Sequence, residues 1–137
     1  MGKLTKSGTF GFVDDLWLLL LRLGVGLSML THGIPKLQML LAGGEIAFPD
    51  PLGIGAIWTL ILVVFAEVVC SVFLVLGLFT RLASIPLVIN MAVAFFVIHG
   101  TDPFGKKELA LFYLFIYLNL LVFGGGDYSL DRAFRRR

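Results

Sequence analysis

The chain has 137 residues, a formal net charge of +2 and a hydrophobic content of 58%. Soluble domains are about 45–50% apolar, and the mean hydropathy of this chain is +0.97. The length allows one domain at most. The small net charge says little about partners, and no nucleic-acid partner is predicted. A soluble protein of this size could not bury so much apolar sequence, so the composition predicts a membrane protein.

Four apolar segments are candidate transmembrane helices, since about 18 or more mostly apolar residues can cross a bilayer and the shortest segment has 16. They are Leu16–Gly33, Ala56–Phe79, Leu82–Gly100 and Leu109–Gly124. The predicted fold is therefore an all-α membrane protein, an antiparallel bundle of four transmembrane helices. We expect a flexible cytoplasmic segment at 1–15, a transmembrane domain at 16–125 and a basic cytoplasmic tail at 126–137.

Basic residues indicate the orientation, because cytoplasmic loops are enriched in Lys and Arg. With four spans both termini share one side, whose basic residues are Lys3, Lys6, Arg81, Arg132, Arg135, Arg136 and Arg137. The other side carries Lys36, Lys106 and Lys107. This distribution predicts a multi-pass protein of the cell (inner) membrane with both termini in the cytoplasm. The terminal arginines are expected to hold anionic lipid head groups.

Three local signals set the expected helix boundaries. Pro35 should kink or end the first helix, and Leu37–Ala42 is expected to continue as a bent or interfacial helix. The short turn at Thr80 makes the second and third helices antiparallel neighbours. Ser129 is the expected N-cap of a short helix beside the membrane.

A buried polar core is predicted from four residues, one on each span: Arg22, Glu67, Asn90 and Asn119. An ionisable side chain inside a span costs about 2.5–3.5 kcal/mol on insertion scales, so it usually faces other helices and has a partner. Helix geometry puts Arg22 and Glu67 about 9 Å apart in depth, and we expect them to pair. Such a pair can fix helix register, carry protons or orient a ligand, and the sequence leaves these roles open.

A second cluster is predicted at the outer end of the spans. His32, His99 and Glu108 lie near that boundary, with Tyr113 among the aromatic residues at the same level. Imidazole beside a carboxylate in an aromatic pocket suits a quinone head group, whose oxygens need hydrogen bonds and protons. The same residue types are also ordinary at a membrane interface. Asn90 and His99 are nine residues apart, on opposite faces of an α-helix, so both should not face one core.

Other chemistry is limited by the residues available. Cys70 is the single cysteine, so a thiol–disulfide relay within this chain is excluded. Haem ligation by His32 and His99 is disfavoured because both lie at helix ends, and no metal site is predicted. Gly24, Ser28 and His32 form a series of small residues that would let helices approach closely.

The sequence resembles the DoxX family of small four-helix membrane proteins over about positions 22 to 131. Its first segment resembles the family pattern Arg…Gly…His-Gly-x-x-Lys through Arg22, Gly26, His32, Gly33 and Lys36. Its second resembles Glu-x-x-Gly-Gly…Leu-Gly-x-x-Thr-Arg through Glu67, Leu76, Gly77, Thr80 and Arg81, with Cys70 and Ser71 in place of Gly-Gly. The stretch GGGDYSLD resembles the family's Gly-Pro-Gly-x-x-Ser-Leu-Asp, with Gly125 in place of Pro.

The resemblance implies a link to membrane redox complexes, since the family's relatives include a thiosulfate:quinone oxidoreductase subunit and partners of oxidative-stress enzymes. We therefore expect a quinone-linked subunit of such a complex, with a quinone as the candidate cofactor and no catalytic residue assigned. The alternative is a non-catalytic protein that binds a lipid or apolar ligand or assembles a membrane complex. A transporter would need an oligomer, because four helices leave little room for a pathway. Candidate partners are lipids, a quinone, redox proteins and a second copy of the chain.

Overall fold

The computed structural model describes residues 11–135, and in that range the regular structure is entirely helical. The helices are α1 (Phe12–Ala42), α2 (Ala56–Leu76), α3 (Thr80–Ile98), α4 (Phe104–Phe123) and α5 (Leu130–Arg135). Most of the predicted flexible segment at 1–15, and the last two arginines of the predicted basic tail, lie outside the described residues.

The four long helices run antiparallel to their neighbours in sequence. Arg22, near the start of α1, contacts Leu74 near the end of α2. Lys107, early in α4, lies over the ring of Phe95, late in α3. The helix α1 packs mainly on α2, and α3 packs mainly on α4. We call the end where α1 and α3 begin the terminal end, and the end with connections 43–55 and 99–103 the loop end.

By length and composition alone, two helices are long and apolar enough to cross a membrane. They are Ala56–Leu76 and Thr80–Ile98, with mean hydropathies of 2.8 and 2.0. They correspond to the second and third predicted spans. The all-helical prediction therefore agrees with the described part of the chain, and α2 and α3 have the length and apolar composition of membrane-spanning helices.

The first helix begins earlier than predicted, and it includes the helical continuation Leu37–Ala42 that the sequence predicts. It begins at Phe12, where the carboxylate of Asp14 accepts the N–H of Gly11 at 3.1 Å. It continues through Pro35 to Ala42, although proline lacks the N–H that an interior helix position supplies. This continuation keeps Lys36 on the helix, where its side chain can reach α2.

Two glycines of α1 allow its close contact with α2. A Cβ atom would lie 2.6 Å from Val75 Cγ2 if added at Gly26, and 2.9 Å from Glu67 Cβ if added at Gly33. At Gly24 no heavy atom lies within 4 Å of the same position. Gly24 itself therefore does not bring two helices into contact. Gly26 and Gly33, which are seven residues apart and share a face after two turns, bring α1 close to α2.

Candidate functional site

A carboxylate in the middle of α2 is held by donors from both neighbouring helices. Glu67 is 3% exposed, and its two carboxylate oxygens lie 2.8 and 2.7 Å from Lys36 Nζ of α1. Its Oε1 also accepts a hydrogen bond from Asn90 Nδ2 of α3 at 3.0 Å. The lysine side chain is 30% exposed. The ion pair is therefore buried at its carboxylate and reaches the surface at its ammonium group.

A cavity of about 180 Å³ opens beside this ion pair, and we call it the loop-end cavity. Its polar lining consists of His32, Lys36, Glu67, His99, Lys106 and Tyr113. Met29, Met91 and Leu109 contribute apolar wall. Two lysines and one glutamate give the lining a net charge of +1 when both histidines are neutral. The cavity therefore presents hydrogen-bond donors and positive charge to a small ring or anion.

Ring contacts and one carboxylate restrain the side chains of this cavity. The rings of His32 and Tyr113 meet edge to face with centroids 6.0 Å apart, and Tyr113 stacks on Tyr117 at 6.0 Å. His99 Nδ1 lies 2.8 Å from Asp102 Oδ2. A histidine held through one ring nitrogen keeps the other for a ligand or a proton. Both histidines are thus restrained while one nitrogen of His99 stays available.

The cluster predicted at the outer end of the spans is assembled in part. His32, His99 and Tyr113 come together at the loop-end cavity. Glu108 is half-buried on α4 and is absent from the cavity lining. The carboxylate of the cavity is instead that of Glu67, which the sequence assigned to the other cluster. Within residues 11–135, no group of three His, Cys, Asp or Glu side chains could hold a metal ion.

The structure corrects the expectation that Asn90 and His99 face opposite ways. Asn90 binds Glu67, and His99 borders the same cavity as Glu67. Between them, Ala94–Ile98 is wound as a π-helix. A π turn takes an extra residue, so every residue after it is rotated relative to an α-helix. A second π segment, Phe65–Cys70, contains Glu67 itself, and π turns occur frequently at functional sites.

The predicted pair of Arg22 and Glu67 is not formed. Arg22 is fully buried and donates from Nη1 to the carbonyl oxygen of Leu74 at 3.1 Å and from Nη2 to that of Tyr128. Glu67 lies opposite Gly33, which is eleven residues, about 16 Å, further along α1 than Arg22. The depths of Arg22 and Glu67 were predicted by counting from the ends of their helices at the same side of the bundle. That count is wrong because α1 begins well before the level at which α2 ends.

The other two members of the predicted polar core, Asn90 and Asn119, do not come together either. Asn90 joins Glu67, whereas Asn119 Oδ1 is buried without a hydrogen-bond partner among the described residues. Sequence reasoning missed Lys36 as the partner of Glu67. The available signal was the spacing His-Gly-x-x-Lys, because Lys36 follows Gly33 by three residues and shares its helix face if the helix continues through Pro35.

Charged groups at the terminal end bind the backbone. The carboxylate of Asp131 accepts the N–H groups of Phe79 at 2.7 Å and Thr80 at 2.9 Å. Asp15 Oδ1 accepts the N–H of Asp127 at 3.0 Å. These bonds attach the segment after α4 to the starts of α1 and α3.

Ser129 caps the N-terminus of the short helix α5, as the sequence predicts. Its hydroxyl oxygen accepts the N–H of Arg132 at 3.3 Å, which is the N-cap hydrogen bond. The N–H of Asp131 is also bound, by the carbonyl oxygen of Gly77 at 3.0 Å. The start of α5 is therefore anchored at the end of α2.

Comparisons with known proteins assign the chain to a family. The DoxX family model matches residues 17–100. An uncharacterized protein of Haemophilus influenzae is 32% identical over 131 residues, which cover 88% of this chain and 92% of that protein. An uncharacterized membrane protein of Mycobacterium tuberculosis is 30% identical over 142 residues, covering 85% and 80%. No solved structure matches the chain. The chain, as its sequence motifs indicate, is a membrane protein that belongs to the DoxX family.

Proposed function

We propose that the loop-end cavity binds the ring of a membrane quinone, and that the chain serves as a quinone-linked subunit of a membrane redox complex. The observation that carries this proposal is the Lys36–Glu67 ion pair in the wall of a cavity that two histidines and Tyr113 also line. Quinone oxygens require hydrogen-bond donors, and they take up protons on reduction. Ammonium, imidazole and phenol groups supply both.

The size of the loop-end cavity suits a ring and little more. Its volume is about 180 Å³, and an apolar cavity of about 150 Å³ is known to hold benzene. Drug-sized ligands occupy about 300–1,000 Å³, so a larger cofactor would not fit inside. A quinone ring would fill the cavity and leave its tail outside.

An apolar cavity beside the first offers room for that tail. It measures about 270 Å³, lies between α1 and α4, and shares Leu109 and Tyr113 with the loop-end cavity. Gly24, which has open space over its Cα, is part of its wall. An isoprenoid chain could leave the ring site along this wall and enter the lipid.

The proton chemistry follows from the positions of the donors. Reduction of a quinone takes two electrons and two protons, one proton at each oxygen, and a partner redox protein supplies the electrons. With a quinone bound, His32 and His99 would be the groups placed to pass protons to the ring oxygens, and the ammonium of Lys36 would hold an oxygen by a hydrogen bond. The side chain of His99 is 40% exposed and His32 is exposed, so both imidazoles can exchange protons with water.

We place the chain in the cell (inner) membrane as a bundle of four transmembrane helices with both termini cytoplasmic. The basic residues of the full sequence support this placement. Seven lie towards the two termini, namely Lys3, Lys6, Arg81, Arg132, Arg135, Arg136 and Arg137, and three lie on the other side, namely Lys36, Lys106 and Lys107. Large apolar side chains are exposed on all four helices, including Leu20, Leu62, Ile89 and Phe115. The proposed quinone site then lies towards the outer face of the membrane.

The apolar cavity also favours a second candidate function, the binding of a lipid or other apolar ligand without chemistry. Its lining is mostly hydrocarbon, with Ser28 and Tyr113 as the polar members. A ligand held there alone would need no donor from the loop-end cavity. The two functions therefore differ in whether Lys36, His32 and His99 affect binding.

The test is a titration of the purified protein in lipid nanodiscs with a short-tailed quinone, measured by calorimetry. We expect Lys36→Met and the double variant His32→Ala/His99→Ala each to weaken binding about tenfold or more, since a hydrogen bond to a charged group contributes about 1.5–3 kcal/mol. Lys107→Met is the matched control, because Lys107 lies over Phe95 and is not in the cavity lining. Unchanged affinity in both cavity variants would overturn the quinone site, and equal binding of a ringless alkyl chain would favour the second candidate.

A further inference from the structure

A further cavity lies at the terminal end, away from the proposed quinone site. Its volume is about 570 Å³. The start of α1, the start of α3, the end of α4 and the segment 124–129 form its walls together with α5. We call it the terminal cavity. Three arginines line it, Arg81, Arg132 and Arg135, along with three aspartates, Asp15, Asp127 and Asp131.

The aspartates of the terminal cavity are bound by groups of the protein. Asp131 accepts two backbone N–H groups at the start of α3. Asp15 accepts the N–H of Asp127, and Asp127 Oδ1 lies 3.3 Å from Arg132 Nε. Each negative charge of the lining therefore already has a partner.

The donors of this cavity are only partly used. Thr80 is fully buried, and its hydroxyl has no hydrogen-bond partner within the described chain. Arg81 and Arg135 are exposed, and between residues 11 and 135 neither makes an ion pair or a side-chain hydrogen bond. After the aspartates are paired, the groups left for a ligand are therefore a hydroxyl and two guanidinium groups.

Two glycines leave room beside two of these donors. A Cβ at Gly125 would lie 2.7 Å from Thr80 Oγ1, and a Cβ at Gly124 would lie 3.2 Å from Arg81 Nε. Any side chain at Gly125 would therefore press on the Thr80 hydroxyl. The segment leaves the hydroxyl and the Arg81 side chain free of such contacts.

We propose that the terminal cavity binds the phosphate of a membrane phospholipid. Guanidinium groups and a hydroxyl at the start of a helix are the donors that bind phosphate oxygens in proteins. The rim of the cavity carries exposed apolar side chains, namely Phe79, Leu82 and Phe123. Such a rim suits the acyl chains of a lipid, whereas a soluble phosphate would gain nothing from it.

The test measures which lipid stays bound when the detergent-purified chain is transferred to native mass spectrometry. The protein is offered phosphatidylglycerol, diacylglycerol without phosphate, or inorganic phosphate alone. We expect phosphatidylglycerol to be retained, and retention to fall about tenfold in Arg81→Gln, since a charge-assisted hydrogen bond is lost. Lys107→Gln, a cation at the loop end, is the control and should retain the lipid.

A second variant separates binding from folding. Thr80→Val keeps the shape of the side chain and removes the unpartnered hydroxyl, so the melting temperature should be unchanged or higher while lipid retention falls. Equal retention of diacylglycerol and phosphatidylglycerol would overturn the phosphate site. Binding of inorganic phosphate without retention of phosphatidylglycerol would overturn the lipid assignment. Unaltered retention in both Arg81→Gln and Thr80→Val would overturn the terminal cavity as the binding site.

Discussion

Charged side chains at the two ends of this molecule have different kinds of hydrogen-bond partner. At the terminal end, Arg22 binds carbonyl oxygens and Asp131 binds backbone N–H groups. Near the loop end, Glu67 binds the side chains of Lys36 and Asn90. Partners on the backbone cannot move without moving a helix, whereas side-chain partners can rotate away. The loop-end cluster can therefore exchange a partner for a ligand, and the terminal-end contacts hold the fold.

Position along the helix explains this difference. The end of α2 has carbonyl groups without helical partners, and the start of α3 has N–H groups without them. A guanidinium group at the former and a carboxylate at the latter also match the helix dipole. Glu67 lies in the interior of α2, where backbone groups are already paired, so its partners must be side chains. A charged side chain that binds backbone groups at a helix end is thus structural here, whereas the partners of Glu67 within α2 are side chains that can rotate away.

The largest expected effect is at Arg22. Replacement by Met would remove the Arg22 donors from the carbonyl groups of Leu74 and Tyr128, and the Leu74 carbonyl would keep only the N–H of Gly77. We expect a loss of about 3 kcal/mol, because hydrogen bonds from a charged group contribute about 1.5–3 kcal/mol each, measured as denaturant-induced unfolding in mild detergent. Arg135→Met, at the same end but exposed, should change stability little. A small effect at Arg22 would remove the distinction between the two ends.

A pair of glycine variants tests the packing around Arg22. Gly77 has φ +70°, and a Cβ there would overlap the Arg22 guanidinium. Gly77→Ala should cost about 2 kcal/mol, from left-handed backbone strain and overlap. Gly24→Ala places its methyl in open space on α1, and should stabilise by up to about 1 kcal/mol because alanine favours helix. Thermal melting of both variants in the same detergent should show opposite signs, and a shared sign would contradict the packing.

A smaller effect on stability is expected at Glu67. Gln in its place can still accept a hydrogen bond from Asn90, and the partly exposed Lys36 can turn towards water. We expect a loss of about 1 kcal/mol or less, together with weakened quinone binding. The double variant Lys36→Met/Glu67→Gln should recover part of the loss, as thermal melting would show. A loss as large as that of Arg22→Met would mean that Glu67 is a structural anchor, like the charges of the terminal end.

Sequence reasoning identified the family and the helical class. The burial of Gly26, Met29 and Gly33 beside Arg22 agrees with their spacing, because an α-helix repeats every 3.6 residues. Sequence reasoning could not identify the partners of the charges. Those depend on how far α1 extends past α2, which no local pattern encodes.

The candidate site was misassigned for a related reason. The π turn at Ala94–Ile98 rotates His99 relative to Asn90, and apolar sequence carries no visible signal of such a turn. The continuation of α1 through Pro35 is the other decisive feature, since a proline usually predicts an end or a kink. Together these two features bring Glu67, Lys36 and His99 to one cavity. The sequence analysis assigned Glu67 to the buried polar core and His99 to the outer cluster, and it missed Lys36.

The smallest expected effect concerns Asp50, a carboxylate near the loop end that binds backbone as the terminal-end aspartates do. It accepts the Thr59 hydroxyl at 2.8 Å and the N–H groups of Gly55 and Ile54. The Thr59 hydroxyl first, and then the Gly55 N–H, hold the pKa of Asp50 below its usual value. A carboxyl whose pKa is lower in the folded state contributes stability above the unfolded pKa of about 3.9, and this is lost as pH falls through the folded value.

Acid titration of the melting temperature therefore tests whether this carboxylate holds the start of α2. The melting temperature of the natural chain should fall on acidification below about pH 4, and Asp50→Asn should flatten that part of the curve. Thr59→Val removes the main cause of the low pKa, so its decline should begin at the same pH, be smaller and end at a higher pH. Superimposable acid curves for the three proteins would show that Asp50 does not contribute. A shift of the acid curve in Thr59→Val would extend the rule that backbone-bound carboxylates at helix ends stabilise the fold, whichever end of the molecule they occupy.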